Sequence, residues 1–198
     1  MAAKKKTLLW KIEYFIFLAL ETLFRAIPVS VCYRIGSTLG SLSYHLVKKR
    51  RLAVIRNITI AYAGELDKKG VIALSKQIFA CNGGNLVASI KTATMSLTAI
   101  KKCVTIEGGD IIERFTKENN GLIIILPHMG NWEIGIRMNE ITYGDRESGA
   151  MYRPLNNPYL DALVKKRRQH SKAHLFSRKD GMTAPLHLIR KQGSGWRD

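Results

Sequence analysis

Leu9, Ile12, Ile16, Leu20, Leu23 and Ile27 recur at steps of 3, 4, 4, 3 and 4, the spacing that lines one face of an α-helix. Lys11, Glu13, Glu21 and Arg25 interrupt the same span and fall on the other side, with Glu21 and Arg25 at the i,i+4 spacing that supports a helix. The pattern predicts a helix over 8–27, closed by Pro28. Residues 30–100 then read as mostly helical. Ser30 can cap a helix reaching about Val47, the basic run Lys48-Lys49-Arg50-Arg51 follows, and a second helix spans Leu52 to about Ala61. A turn region at 64–70 leads into helices over 67–79 and 82–95, separated near Cys81-Asn82-Gly83-Gly84.

The periodicity changes at residue 103. Val104-Thr105-Ile106 is a short β-prone run, 109–118 is helical, and Gly121-Leu122-Ile123-Ile124-Ile125-Leu126 reads as a buried strand. A helix over 131–141, a strand near 150–152, a helix over 158–170, a strand at 174–176 and a helix over 182–190 complete the pattern. Strands alternating with helices are the signature of an α/β sheet with parallel strands. An α/β chain ending near Lys191-Gln192-Gly193 on a helix should return to a strand. Ser194-Gly195-Trp196-Arg197-Asp198 offers none, so the reading favours a chain incomplete at its C-terminus.

Charge alters the picture of the N-terminal helix. The 198 residues carry 32 Lys+Arg against 15 Asp+Glu, a net charge of +17, so the expected partners are anionic. Lys4, Lys5 and Lys6 precede the helix, and Trp10, Tyr14, Phe15, Phe17 and Phe24 load it with aromatics. From Trp10 to Ile27 it would reach roughly 27 Å, short of a hydrocarbon core of about 30 Å. Two carboxylates in the bilayer would add to the cost. An interfacial amphipathic helix on the membrane surface fits better than a span, beside the alternative of a helix packed in a soluble core. Arg25 and the absence of an A-x-A site argue against a cleaved signal peptide.

The composition excludes several classes. Cys32, Cys81 and Cys103 form no CxxC pair and no closed disulfide framework, which suits a reducing compartment. The basic clusters 48–51 and 165–168 are not interleaved with aromatics that could stack bases, and no nucleic-acid-binding signature is present. No nucleic-acid partner is expected.

The chemistry concentrates in Pro127-His128-Met129-Gly130-Asn131-Trp132-Glu133. His128 follows the apolar run, where α/β sheets place reacting groups. Gly130 permits a tight turn, and Asn131 is either a helix cap or a substrate contact. Across a strand-to-helix corner His128 can act as general base on a hydroxyl, with Glu133 orienting the imidazole. G-x-S-x-G and HExxH are both absent, so serine-hydrolase and zincin readings fail. One His and one Glu leave zinc open without an evident third ligand, and the expectation is no metal and no cofactor.

The block GLIIILPHMGNWEIG resembles the H-x4-[DE] segment of the bacterial lipid A biosynthesis acyltransferases. The N-terminal helix, Arg56-Asn57 after a basic run, Tyr152-Arg153-Pro154 with Asn157-Pro158, and Arg178-Lys179-Asp180-Gly181 agree in order over nearly all of 7–193. The His-Glu block alone is shared with the wider glycerolipid acyltransferases. The resemblance implies an α/β fold of the glycerolipid-acyltransferase type: a membrane-anchoring helix over 1–28, then an acyltransferase domain over 29–198, helical to 100 and α/β from 101. It implies transfer of a fatty acyl chain from acyl carrier protein to a hydroxyl of a phosphorylated, Kdo-bearing lipid A precursor. The reaction would run at the cytoplasmic face of the bacterial inner membrane, without a cofactor. His128 and Glu133 would be catalytic, Arg153, Asn131, Arg178 and Lys179 substrate-binding. The alternatives are an acyltransferase of the same chemistry acting on lysophospholipid or glycolipid, and an inactive fragment serving as a basic membrane-binding module.

Overall fold

The computed structural model of the protein describes residues 2–117, 123–137, 141, 147–168, 173–177 and 181–193. Helices dominate: α1 (Ala2–Ala26), α2 (Val29–Leu46), α3 (Lys48–Ala61), α4 (Lys68–Thr92), α5 (Leu97–Lys101), α6 (Gly109–Lys117) and α7 (Glu133–Ile136). Then β1 (Ser148–Tyr152), α8 (Pro158–Arg168), β2 (Ala173–Ser177) and α9 (Thr183–Gly193) alternate. The chain divides into two compact units. One holds Met1–Leu20, Ala93–Pro127 and Trp132–Asp198; the other holds Glu21–Thr92 and His128–Asn131.

In the second unit α2 packs along α4. A Cβ on Gly36 would stand 2.3 Å from the Gly83 carbonyl oxygen, and one on Gly40 would stand 2.1 Å from that of Phe79. The Gly83-Gly84 pair, expected to lie between separate helices, therefore sits inside the single helix α4. Its missing side chains let two backbones touch, and that contact offsets the intrinsic helix cost of glycine. Phe24, Cys32 and Val87 form the adjoining core, backed by Ile27 and Ile90. Burial pushes the Cys32 thiol up from its ordinary pKa. Tyr44 packs edge-on to Phe79 at 5.4 Å and reaches the Ser75 hydroxyl at 3.4 Å.

Two helix starts differ from the sequence reading. The Ncap position of α2 is Pro28 rather than Ser30, without a side-chain cap, and the basic run 48–51 is the first turn of α3 itself. The α4 start fits, since Gly70 N–H donates to Asp67 Oδ1 at 2.7 Å.

In the first unit β1 and β2 pair in parallel with Ala150 opposite Leu175, and α8 makes the crossover. Among the described residues the sheet has two strands. Val104-Thr105-Ile106 is irregular, and the apolar run expected as a buried strand is neither a strand nor buried over 123–126; Ile125 is 90% exposed. A strand needs a neighbour's hydrogen-bonding ladder, and among the described residues β1 and β2 pair only with each other. Gly121 and Leu122 lie outside the described residues. Of the helix expected over 131–141, the described residues show the single turn Glu133–Ile136 and a π-helical residue at 141; 138–140 lie outside them.

The two faces of α1 differ in burial. Its aliphatic stripe Leu9, Ile12, Ile16, Leu20 and Leu23 is exposed, together with Phe15. Trp10, Tyr14 and Phe17 are half-buried, Phe24 is buried, and Glu21 is only 2% exposed. The side that packs thus carries aromatics, Leu18 and the Glu21 carboxylate, while the aliphatic stripe faces outward, unlike a soluble core helix. No helix among the described residues is long and apolar enough to cross a membrane.

Candidate active site

The H-x4-E segment straddles the division of the chain, with His128 to Asn131 in the second unit and Trp132 and Glu133 in the first. In the second unit Gly130 adopts φ +61°, the left-handed conformation that favours glycine, and turns the chain immediately after His128 and Met129. Both of those side chains are exposed. Asn131 Nδ2 donates to Thr92 Oγ1 at 3.0 Å, tying the segment to the end of α4. Asn131 is not the expected cap: Trp132 holds the Ncap position of α7, with no side-chain cap.

In the first unit Glu133 opens α7 and meets α8. Arg168 Nε donates to Glu133 Oε2 at 3.2 Å, and Arg168 Nη2 donates to Oε1. The same guanidinium lies 5.3 Å from the centre of the Trp132 ring. A two-pronged, ring-stacked fork fixes a carboxylate in orientation as well as in place. Arg168 belongs to the basic last turn of α8, where Lys165, Lys166 and Arg167 also complement the helix dipole.

Asn157 fixes the other end of α8. Its Oδ1 accepts from the Tyr159 and Leu160 N–H groups at 3.0 and 3.4 Å, and Pro158 occupies the first helical position. Its Nδ2 donates to Trp10 O at 2.8 Å and to Glu13 Oε2 at 2.9 Å, which binds α1 to α8. Asn157 is 5% exposed. Lys165 lies 5.3 Å from the centre of the Tyr152 ring, and a hydrogen bond to Tyr152 and the Asp161 carboxylate push its pKa up.

Of the remaining expected residues, Arg153 leaves the end of β1 with its side chain exposed. Arg178 and Lys179 lie outside the described residues. The roles of two residues escaped the sequence reading: Arg168, which holds Glu133, and Asn157, which fixes the far end of α8. Arg168 reads there only as a member of a basic helix end, since its partner is 35 positions away. Asn157 stands in the resemblance as half of an Asn-Pro pair, and its N-cap role before Pro158 is the signal that could have found it. Among the described residues, no group of three His, Cys, Asp or Glu could hold a metal ion.

Comparison with known proteins places these features in one context. The profile of the bacterial lipid A biosynthesis acyltransferase family matches residues 1–197. The lipid A biosynthesis lauroyltransferase of Escherichia coli K12 is 26% identical over 155 residues, 78% of this chain and 49% of that protein. Lipid A biosynthesis acyltransferase 2 of Shigella flexneri is 26% identical over 161 residues, 81% and 49%. The lipid A biosynthesis acyltransferase of Haemophilus influenzae is 26% identical over 192 residues, 93% and 58%. The chain spans about half the length of the curated relatives it matches. No solved structure gives a significant match. With the family profile running over almost every residue, the chain belongs to the bacterial lipid A biosynthesis acyltransferase family.

Proposed function

We propose that this chain transfers a fatty acyl chain from acyl carrier protein to a hydroxyl of a phosphorylated, Kdo-bearing lipid A precursor. His128 is the general base and Glu133 its partner. His128 takes the hydroxyl proton as the oxygen attacks the thioester carbonyl. The C–S bond then breaks, and the imidazolium returns the proton to the departing thiolate. The products are the ester and the free carrier thiol, with no acyl-enzyme. The observation that carries the reading is the Glu133 carboxylate, oriented by the Arg168 fork against Trp132 inside the H-x4-E block. Catalytic carboxylates need that kind of preorganisation. Arg153, exposed after β1, is a contact to substrate phosphate, and Arg178, Lys179 and Asn131 are further substrate contacts.

The outward aliphatic stripe of α1 supports an interfacial seat on the cytoplasmic face of the inner membrane, where acyl donor and lipid acceptor meet. The test is acylation of a Kdo-bearing precursor by the purified chain beside His128→Ala and, as competing acceptor, lysophosphatidate. A loss of about two to four decades in rate is expected for His128→Ala. Full activity in that variant overturns the base assignment, and preference for lysophosphatidate overturns the acceptor.

A further inference from the structure

Helix α2 buries Cys32, Gly36, Gly40 and Tyr44 against its own unit. Elsewhere on it, Val31, Ile35, Leu39, Leu42 and Leu46 are all exposed, Leu46 by 82%. Their steps of 4, 4, 3 and 4 confine them to an arc of about 80° at 3.6 residues per turn. Arg34, Thr38, Ser41 and His45 lie beside this arc, so the stripe is a distinct apolar face and not a general scatter of leucines. It ends where α3 begins, and α3 begins with four cations.

Those cations are badly placed for the helix alone. The first turn of α3 holds Lys48, Lys49, Arg50 and Arg51 with no acidic residue and no side-chain cap. Cations at a helix N-terminus oppose its dipole, and neighbouring like charges add repulsion. Arg51 is engaged internally: its Nη1 donates to Tyr44 O at 3.2 Å and its guanidinium lies 5.4 Å from the Tyr44 ring centre. Lys48, Lys49 and Arg50 remain exposed. An anionic surface lying against this corner would relieve the charge clash and cover the apolar stripe together.

We propose that the α2 stripe and the Lys48–Arg50 cluster form a second membrane contact, separate from α1, whose occupant is an anionic lipid surface. The pairing of the two features selects this occupant. Acyl chains take the leucines while headgroup phosphates take the cations at their end. A soluble acidic protein would leave the apolar arc unmatched, and a second copy of this chain would set cation against cation. The inference does not depend on acyl transfer, and its test reads no catalysis.

The experiment uses the full chain and vesicles of equal parts phosphatidylglycerol and phosphatidylcholine, with pure phosphatidylcholine as comparison. In a Cys81→Ser, Cys103→Ser background, Leu46→Cys carries an environment-sensitive fluorophore, and Lys69→Cys carries it as control. The expected result is a blue shift at position 46 on anionic vesicles and none at position 69. Lys48→Gln, Lys49→Gln and Arg50→Gln together should lower vesicle partitioning about a hundredfold, at about fivefold for each cation near an anionic leaflet. Leu39→Ser with Leu42→Ser should lower it about tenfold or more. Circular dichroism checks that both variants keep their helices. A chain that sediments with vesicles while position 46 stays unshifted overturns the proposal, as does a chain that does not sediment. A shift that appears without vesicles and grows with protein concentration also overturns it, in favour of self-association.

Discussion

The Glu133 carboxylate is held from one side by a single side chain, so the fork can be tested alone. Arg168→Ala removes both donors and the cover over Trp132. In the proposed mechanism, misplacing a catalytic group by about 1 Å costs on the order of a hundredfold, so acylation by this variant should fall by about that factor. Arg168→Lys keeps the charge but not the planar fork and should recover little. Equal activity in the lysine and wild-type chains, at matched melting temperature, would show that Arg168 supplies charge rather than position. Asn157 is the residue-scale test of folding. It makes four hydrogen bonds from a buried site, two as a cap and two to α1. Asn157→Ala should lower stability by about 2–3 kcal/mol in urea melts. Asn157→Asp keeps the cap oxygen but sets a carboxylate against Glu13 and should recover only a fraction of that loss.

At the scale of elements, the α2–α4 contact has the sharpest consequence. Gly36→Ala and Gly83→Ala each place a Cβ 2.3 Å from a backbone oxygen of the facing helix. A backbone cannot yield as a side chain does, so each should destabilise by about 2 kcal/mol or more. In an isolated helix the same change would stabilise by up to about 1 kcal/mol. The sign therefore reports whether the helices touch, and thermal melts of the two variants would read it. The same glycines show what the sequence conveys and what it withholds. Local periodicity located α1, α2, α6, α8 and α9 to within a few residues, except that α1 begins several residues earlier. Gly83-Gly84 carries one local signal for two outcomes, a break or a close approach, and only the facing Gly36 and Gly40 decide between them. The run 123–126 likewise has strand composition, yet a strand is a property of a pair, and no local pattern names the partner. His128, Asn131 and Glu133 could be named together from the sequence because they lie within one short segment. Arg168 was not, because its meaning arises across 35 residues.

For the molecule as a whole, in its proposed seat on an anionic membrane, the net charge of +17 and the outward aliphatic stripe of α1 would act through different physics. Attraction between cations and an anionic leaflet is screened over about 10 Å at 0.1 M salt and about 3 Å at 1 M. Apolar burial is not weakened by salt. If α1 lies in the interface, raising sodium chloride from about 0.1 to about 1 M should weaken vesicle binding without abolishing it. Ile12→Glu with Ile16→Glu should then make the remaining binding fully salt-sensitive. These positions serve better than deletion of 1–28. Deletion also takes Trp10 and Glu13 from Asn157 and Phe24 from the core around Cys32, so a freed chain could be a damaged one. The exposed isoleucines take no part in those contacts, and their replacement should leave the melting temperature within a few degrees. Complete release of the wild-type chain by salt would show that charge alone holds it and would remove the interfacial helix. Binding by the doubly substituted chain that survives 1 M salt would put the apolar contact elsewhere, with the outward face of α2 as the next surface to substitute.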